Sequence, residues 1–137
     1  FSEHMVLVQP CGEAAAPSRD VLRNKRLLLL EEGHCFRDQA LDFCNFPAGT
    51  PRDGLDGSSL STLVQMVGAG IGVTLIPEMA VAVETRSAAV EVAHFDAPKP
   101  ARTVGMIWRK SSPLADQMQG LADLVRETGH AMRTAAP

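Results

Sequence analysis

Apolar residues recur along the chain with two different periods. Met5-Val6-Leu7-Val8-Gln9 is β-rich and closed by Pro10. Leu27–Leu30 is apolar without alternation, the pattern of a strand buried on both faces. From Cys35 to Cys44 the apolar positions are Phe36, Ala40, Leu41, Phe43 and Cys44, and the i, i+4, i+7 spacing from Phe36 predicts a short helix. Leu60, Leu63, Val64 and Val67 give the strongest helical repeat, with Ser58 or Ser59 as its cap. Gly68, Gly70 and Gly72 close that helix, and Val73–Ile76 predicts a second buried strand. Pro77 suits the first turn of a short helix through Ala82. Val90–Val92 and Thr103–Trp108 read as strands. Leu114, Met118, Leu121 and Val125 form one stripe of a last helix, opened by Ser112-Pro113 and ended by Gly129. His130 to Pro137 reads as a frayed tail.

The connections carry turn chemistry. Cys11 to Ser18 is a Gly/Pro/Ala loop, Asp20 to Arg26 a short helical turn capped by Asp20, and Glu31 to His34 a polar turn. Asn45 to Gly57, with Pro47, Gly49, Pro51, Gly54 and Gly57, reads as a long loop. Ala97 to Pro100 is an extended crossing segment, and Ala97–Arg102 is the best place for a link between two lobes. Strands alternating with helices argue an α/β fold with mostly parallel pairing. No internal repeat is visible.

Composition narrows the classes. With 137 residues, 45% of them hydrophobic, the chain can bury a core as one domain or two small lobes. Lys+Arg 13 against Asp+Glu 16 leaves a formal charge of −3, so this chain by itself is a poor polyanion binder. Apolar runs such as Leu27–Leu30 are far too short for a membrane span, and Phe1–Pro10 is no signal peptide. Three cysteines, Cys11, Cys35 and Cys44, do not make a secreted disulfide framework; they fit a cytoplasmic protein with reduced thiols. The chain begins without Met and almost at once enters a strand, the expectation for a piece of a longer protein.

Candidate chemistry gathers around Cys35, at the junction of a buried strand and a helix start. Free amides at a helix N-terminus favour thiolate over thiol, His34 and Arg37 add positive charge, and Asp38 opposes them. A small buried core cysteine is an equally weighted reading. Cys44 lies nine positions further on, about 13.5 Å along a continuous helix. A disulfide needs Cα atoms roughly 4.4–6.8 Å apart, so the two thiols can join only if the segment unwinds. The plainer alternative is that Cys44 fills the apolar face of the helix. No metal site is expected, because His34-Cys35 has no second ligand pair and His4, His94 and His130 are scattered. Gly68-Ala69-Gly70-Ile71-Gly72 follows a helix and precedes a strand, the reverse of a dinucleotide loop, so it reads as a tight turn. Ser58-Ser59 is a possible small-anion or ligand site, with plain capping favoured over it. Arg102 reads as a solvated charge or a partner for a cleft group, and Cys11 as incidental.

Gly33-His34-Cys35-Phe36-Arg37-Asp38-Gln39-Ala40, followed by Phe43-Cys44, resembles the redox segment of the peroxide-sensing LysR-type transcriptional regulators. Gly70-Ile71-Gly72-Val73-Thr74-Leu75-Ile76-Pro77 and Arg102-Thr103-Val104-Gly105-Met106 are similar to later parts of the same family. The resemblance covers Leu27 to Glu127. It implies a periplasmic-binding-protein-like regulatory domain of two α/β lobes, with Phe1–Lys99 as the second lobe and Pro100–Pro137 as the crossover, strand and helix returning to the first. It further implies that Cys35 reacts with hydrogen peroxide, that Cys44 resolves it as a disulfide, and that His34, Arg37, Asp38 and Arg102 line the reactive pocket. Phe36 receives no role. The implied partners are hydrogen peroxide, a second copy in a dimer or tetramer, and RNA polymerase. DNA would be held only through an N-terminal helix-turn-helix that this chain lacks. No cofactor, no membrane and no enzymatic turnover are implied. The competing readings are a small-metabolite-binding LysR-type module that uses Ser58 and Ser59, and a thiol peroxidase-like enzyme.

Overall fold

The computed structural model describes residues 1–13, 18, 22, 24–44 and 55–134. Its strands are β1 (Ser2–Pro10), β2 (Leu29–Leu30), β3 (Asp56–Gly57), β4 (Thr74–Pro77), β5 (Val90–Ala93) and β6 (Ala101–Thr103). Its helices are α1 (Cys35–Phe43), α2 (Leu60–Gly68), α3 (Val81–Glu84) and α4 (Ala115–Thr134). The spine is β1, with β4 and β5 on its two edges. Its register runs Ser2–His4 against β6, Met5–Val8 against β4, and Leu7–Pro10 against β5. Leu27 bridges Val73 in parallel, which ties the β2–β3 pair to β4.

Pairing direction departs from the sequence expectation. Among the described residues all three partners of β1 run antiparallel to it, and parallel pairing is confined to β2–β3 and the Leu27–Val73 bridge. The parallel pairs are those joined through a helix, as crossover connections require. A strand buried on both faces has the same apolar pattern whichever way it runs, so periodicity carried no direction for β1.

Helices cover both faces of the sheet. On one face Leu63, Val64 and Val67 of α2 pack on Val6, Val8, Leu28, Leu30 and Ile76. On the other, Ala40 and Cys44 from the end of α1 pack with Leu7, Leu22, Leu29, Val73, Leu75, Ala93 and Phe95. The alternation of Val6 and Val8 with Leu7 is the two-residue period of a strand buried on both sides. Ser59 caps α2 through Thr62 N–H at 3.1 Å. Gly72 is required by a close approach, since a Cβ there would lie 2.4 Å from the Arg26 carbonyl oxygen.

Other expectations are corrected. Asp56–Gly57 is a strand, not the end of a loop. Pro77 ends β4 and precedes a 3-10 turn over Glu78–Ala80, with α3 only afterwards. The strand expected over Thr103–Trp108 is instead Ala101–Thr103, with Val104 still exchanging hydrogen bonds with Phe1 at 2.9 Å. Ile107 is accordingly 99% exposed. The last helix runs through Gly129 to Thr134, so Gly129 is no terminator and His130–Thr134 is not frayed. Gly129 lies against the Phe1 ring, where a side chain would collide. The stripe of Leu114, Leu121 and Val125 is exposed, not packed. The Asp20 cap, the loop residues 45–54 and residues 135–137 lie outside the described residues.

Gly72→Ala should destabilise the fold by about 1–3 kcal/mol, because backbone must move to admit the methyl group. Gly105→Ala, with open space around its Cβ, should change stability by less than about 0.5 kcal/mol. Chemical denaturation of the two variants checks the contrast.

Candidate functional site

The site grows from the join between β2 and α1. Glu31 N–H donates to the Gly57 carbonyl at 3.1 Å, which ends β2 beside β3. The polar turn then places His34 at the N-cap of α1 in extended conformation, with no side-chain cap bond. Cys35 is the first helical residue and is exposed. Phe36, Ala40 and Cys44, spaced i, i+4 and i+8, face inward at 8%, 2% and 0% exposure. Helical spacing therefore turns Cys35 outward while burying Cys44, and neither is in a disulfide. With α1 unbroken, they stand about 13.5 Å apart along its axis. Phe43 stacks edge-on to Phe95 at 5.0 Å between centroids, which fixes the far end of the helix.

Two arginines hold the near end. Arg37 Nη1 donates to the Leu30 carbonyl at 2.6 Å and to Asp56 Oδ2 at 2.7 Å, so its guanidinium ties α1 to β2 and β3. Arg102, from β6, is no solvated charge. Its Nε donates to Glu3 Oε2 at 2.7 Å, and its guanidinium carbon lies 5.3 Å from the centroid of the Phe36 ring. Phe36 thus serves both as core anchor and as platform for Arg102. Asp38 is exposed in the first turn of α1, where the helix dipole favours a carboxylate. Arg102 also borders a cleft of about 500 Å³ lined by Met5, Gln39, Asp42, Phe43 and residues 98–103.

The remaining candidates lie apart from this cluster. Ser59 Oγ is engaged by Thr62 N–H and lies 3.0 Å from Thr62 Oγ1, while Ser58 is exposed. Cys11 is exposed in the turn after β1. His4 and His94, far apart in sequence, both lie beside Glu78, at 3.4 and 3.5 Å. Sequence reasoning missed Glu3 and Asp56. At the start of β1 buried Glu3 and Met5 alternate with exposed Ser2 and half-buried His4, a two-residue period. Asp56 sits in a segment with no periodic signal.

A two-faced α/β core with a thiol-bearing helix on its sheet defines the class. The chain belongs to the LysR substrate binding domain family, whose model matches residues 1–129. It is 44% identical over 133 residues to a Mycobacterium avium protein named probable hydrogen peroxide-inducible genes activator, a match covering 93% of this chain and 42% of that protein. It is 43% identical over 106 residues to the DNA-binding transcriptional dual regulator OxyR of Escherichia coli K12, covering 77% of this chain and 34% of that one. A solved structure of a hydrogen-peroxide-bound mutant of Corynebacterium glutamicum OxyR superposes with a TM-score of 0.86 at 27% identity, covering 99% of this chain and 45% of that one. The chain therefore spans less than half the length of these relatives. No helix among the described residues is long and apolar enough to cross a membrane.

Arg37→Ala should loosen α1 by about 1–2 kcal/mol, because it removes a charge-assisted bond to a strand carbonyl and a partly exposed ion pair. Hydrogen exchange should accelerate at the amides of α1 while those of α2 keep their protection.

Proposed function

We propose that this domain is the peroxide-sensing regulatory module of a cytoplasmic transcriptional activator, with Cys35 and Cys44 as its redox pair. The observation that carries the reading is the disposition of the two thiols: one exposed at the first turn of α1, the other fully buried at its end. The names of the relatives, peroxide-inducible activators and OxyR, supply the oxidant. In this reading residues 1–99 form the second lobe with the redox segment. Residues 100–137 cross back to the first, which accounts for the exposed Ile107, Leu121 and Leu124.

The chemistry proceeds in two steps. The Cys35 thiolate attacks one oxygen of hydrogen peroxide; an S–O bond forms, the O–O bond breaks, and the departing hydroxide takes up a proton to become water. In this reading His34, Arg37, Asp38 and Arg102 line the pocket of the reacting sulfur, and Arg37 also holds the helix to the sheet. The Cys44 thiolate then attacks the sulfenic sulfur; an S–S bond forms, the S–O bond breaks, and the departing hydroxide takes up a proton to leave as a second water. Cys44 has to quit its place among Leu7, Leu29, Leu75 and Phe95 to do so, and α1 has to unwind. Closing a ring of about ten residues contributes roughly 2.7 kcal/mol on the chain-entropy model, comparable with the packing of one short helix. The rebuilt segment changes how two copies pack, and thereby how the full-length protein holds DNA through its helix-turn-helix and engages RNA polymerase. Turnover separates a sensor from a peroxidase: titrated with peroxide against excess reductant, this domain should saturate near one equivalent per Cys35, whereas a peroxidase keeps consuming peroxide.

Cys35→Ser should abolish fast peroxide consumption. Cys44→Ser should react but stop at sulfenic acid, trappable with dimedone, and Cys11→Ser should change neither step. Stopped-flow kinetics with mass spectrometry reads all three. Loss of the fast reaction in Cys44→Ser instead would reverse the assigned roles.

Oxidation of the unmodified protein should lower its helical circular dichroism and open new protease sites around Cys35–Cys44. Identical spectra and digestion maps for the two states would refute the coupling.

A further inference from the structure

We infer that Glu3 is a positioning residue for Arg102 and, through it, for the reaction of Cys35 with peroxide; the inference rests on the peroxide-sensing reading above. Glu3 and Arg102 are direct partners in the β1–β6 ladder. Side chains so paired start about 4.5–5.5 Å apart on one face of the sheet. A single oxygen, Glu3 Oε2, accepts from Arg102 Nε at 2.7 Å and lies 2.7 Å from Nη2. The Glu3 side chain is 1% exposed, and its other oxygen, Oε1, has no partner among the described residues.

A carboxylate this deeply buried is a costly way to join two strands. An apolar pair of similar volume usually holds such a place equally well, and a half-satisfied carboxylate holds it less well. What an apolar residue cannot do is fix a guanidinium. Gripped by Glu3 along its Nε–Nη2 edge, Arg102 lies over the ring of Phe36, the residue that follows Cys35 in α1. The cation is clamped between β1 and the first turn of α1. Nη1 takes no part in that grip, and Arg102 lines the cleft; in the peroxide-sensing reading Nη1 is the donor left for peroxide.

The reaction needs such a donor at a defined moment. As the S–O bond forms and the O–O bond breaks, sulfur is oxidised by two electrons and negative charge moves onto the departing oxygen. A cation lowers that barrier most when it is already in place and need not reorganise. Glu3 supplies the fixity from the far side of the guanidinium, without touching sulfur or peroxide.

The test is a kinetic cycle on the intact protein. The rate of Cys35 is measured with hydrogen peroxide and with iodoacetamide, whose leaving iodide needs no hydrogen-bond donor. The variants are Glu3→Gln, Glu3→Asp, Arg102→Ala and the Glu3→Gln/Arg102→Ala double. Glu3→Gln should slow the peroxide reaction by about 10-fold or more, as misplacement of a donor does, while iodoacetamide slows by less than about twofold, since thiol exposure is unchanged. Glu3→Asp, which keeps the charge on a shorter arm, should fall between wild type and Glu3→Gln. In the Arg102→Ala background, Glu3→Gln should cost nothing further. Parallel losses with both reagents would reduce Glu3 to a structural role. An unchanged peroxide rate, or an additional loss in the double variant, would equally overturn the inference. A separate readout, the Arg102 Nε–H nuclear magnetic resonance signal, should move in Glu3→Gln; an unmoved signal sinks the clamp even if peroxide sensing stands. A wild-type protein no faster with peroxide than free cysteine sinks the sensing reading, and this inference with it.

Discussion

Everything at the site depends on one constraint: α1 buries every fourth residue, and its two cysteines fall on opposite sides of that rule. Phe36, Ala40 and Cys44 make the stripe that docks on the sheet. Cys35, one position before the stripe, is turned to the surface. The packing that stabilises the helix therefore exposes one thiol, hides the other, and keeps them about 13.5 Å apart. A covalent bond between them cannot be added to this arrangement; it can only replace it. Stability of the helix and separation of the two thiols are thus set by the same few contacts.

The two arginines divide the work of holding that helix in register. Arg37 acts locally, reaching back to Leu30 and across to Asp56, so the start of α1 moves with β2 and β3. Arg102 acts over a separation of 99 residues from Glu3, through the one strand that touches every other part of the main sheet. Because β1 carries β4, β5 and β6, a guanidinium fixed to it is fixed to the core as a whole. Charge placed over Phe36 is thereby tied to the most rigid part of the fold, and not to a loop.

The C-terminal segment has a different character. Among the described residues no strand lies beside residues 105–108, and α4 presents Leu114, Leu121 and Leu124 to solvent. Its firm contact with the rest is at Gly129, where the absence of a side chain lets the Phe1 ring approach. The apolar repeat of this helix was legible, but what it packs against is not among the described residues. A stripe states that a face is to be covered; it does not name the cover.

Much of this protein was readable from the sequence, and for a common reason. Local periodicity placed β1, the Leu27–Leu30 strand, α1 and α2, because side chains three or four apart on a helix, or two apart on a strand, share a face wherever the element sits. The Ser59 cap and the turn after β2 followed from equally local backbone chemistry. The candidate site segment was legible because its cysteines, histidine, arginine and acid are consecutive or nearly so. Tertiary structure alone decided the direction of β1, the pairing of Glu3 with Arg102, the bond from Arg37 to Asp56, and the early end of β6. Each of these depends on a partner 19 to about 100 residues away, or on the lack of one, and chain order carries no record of which distant groups a folded sheet will set side by side.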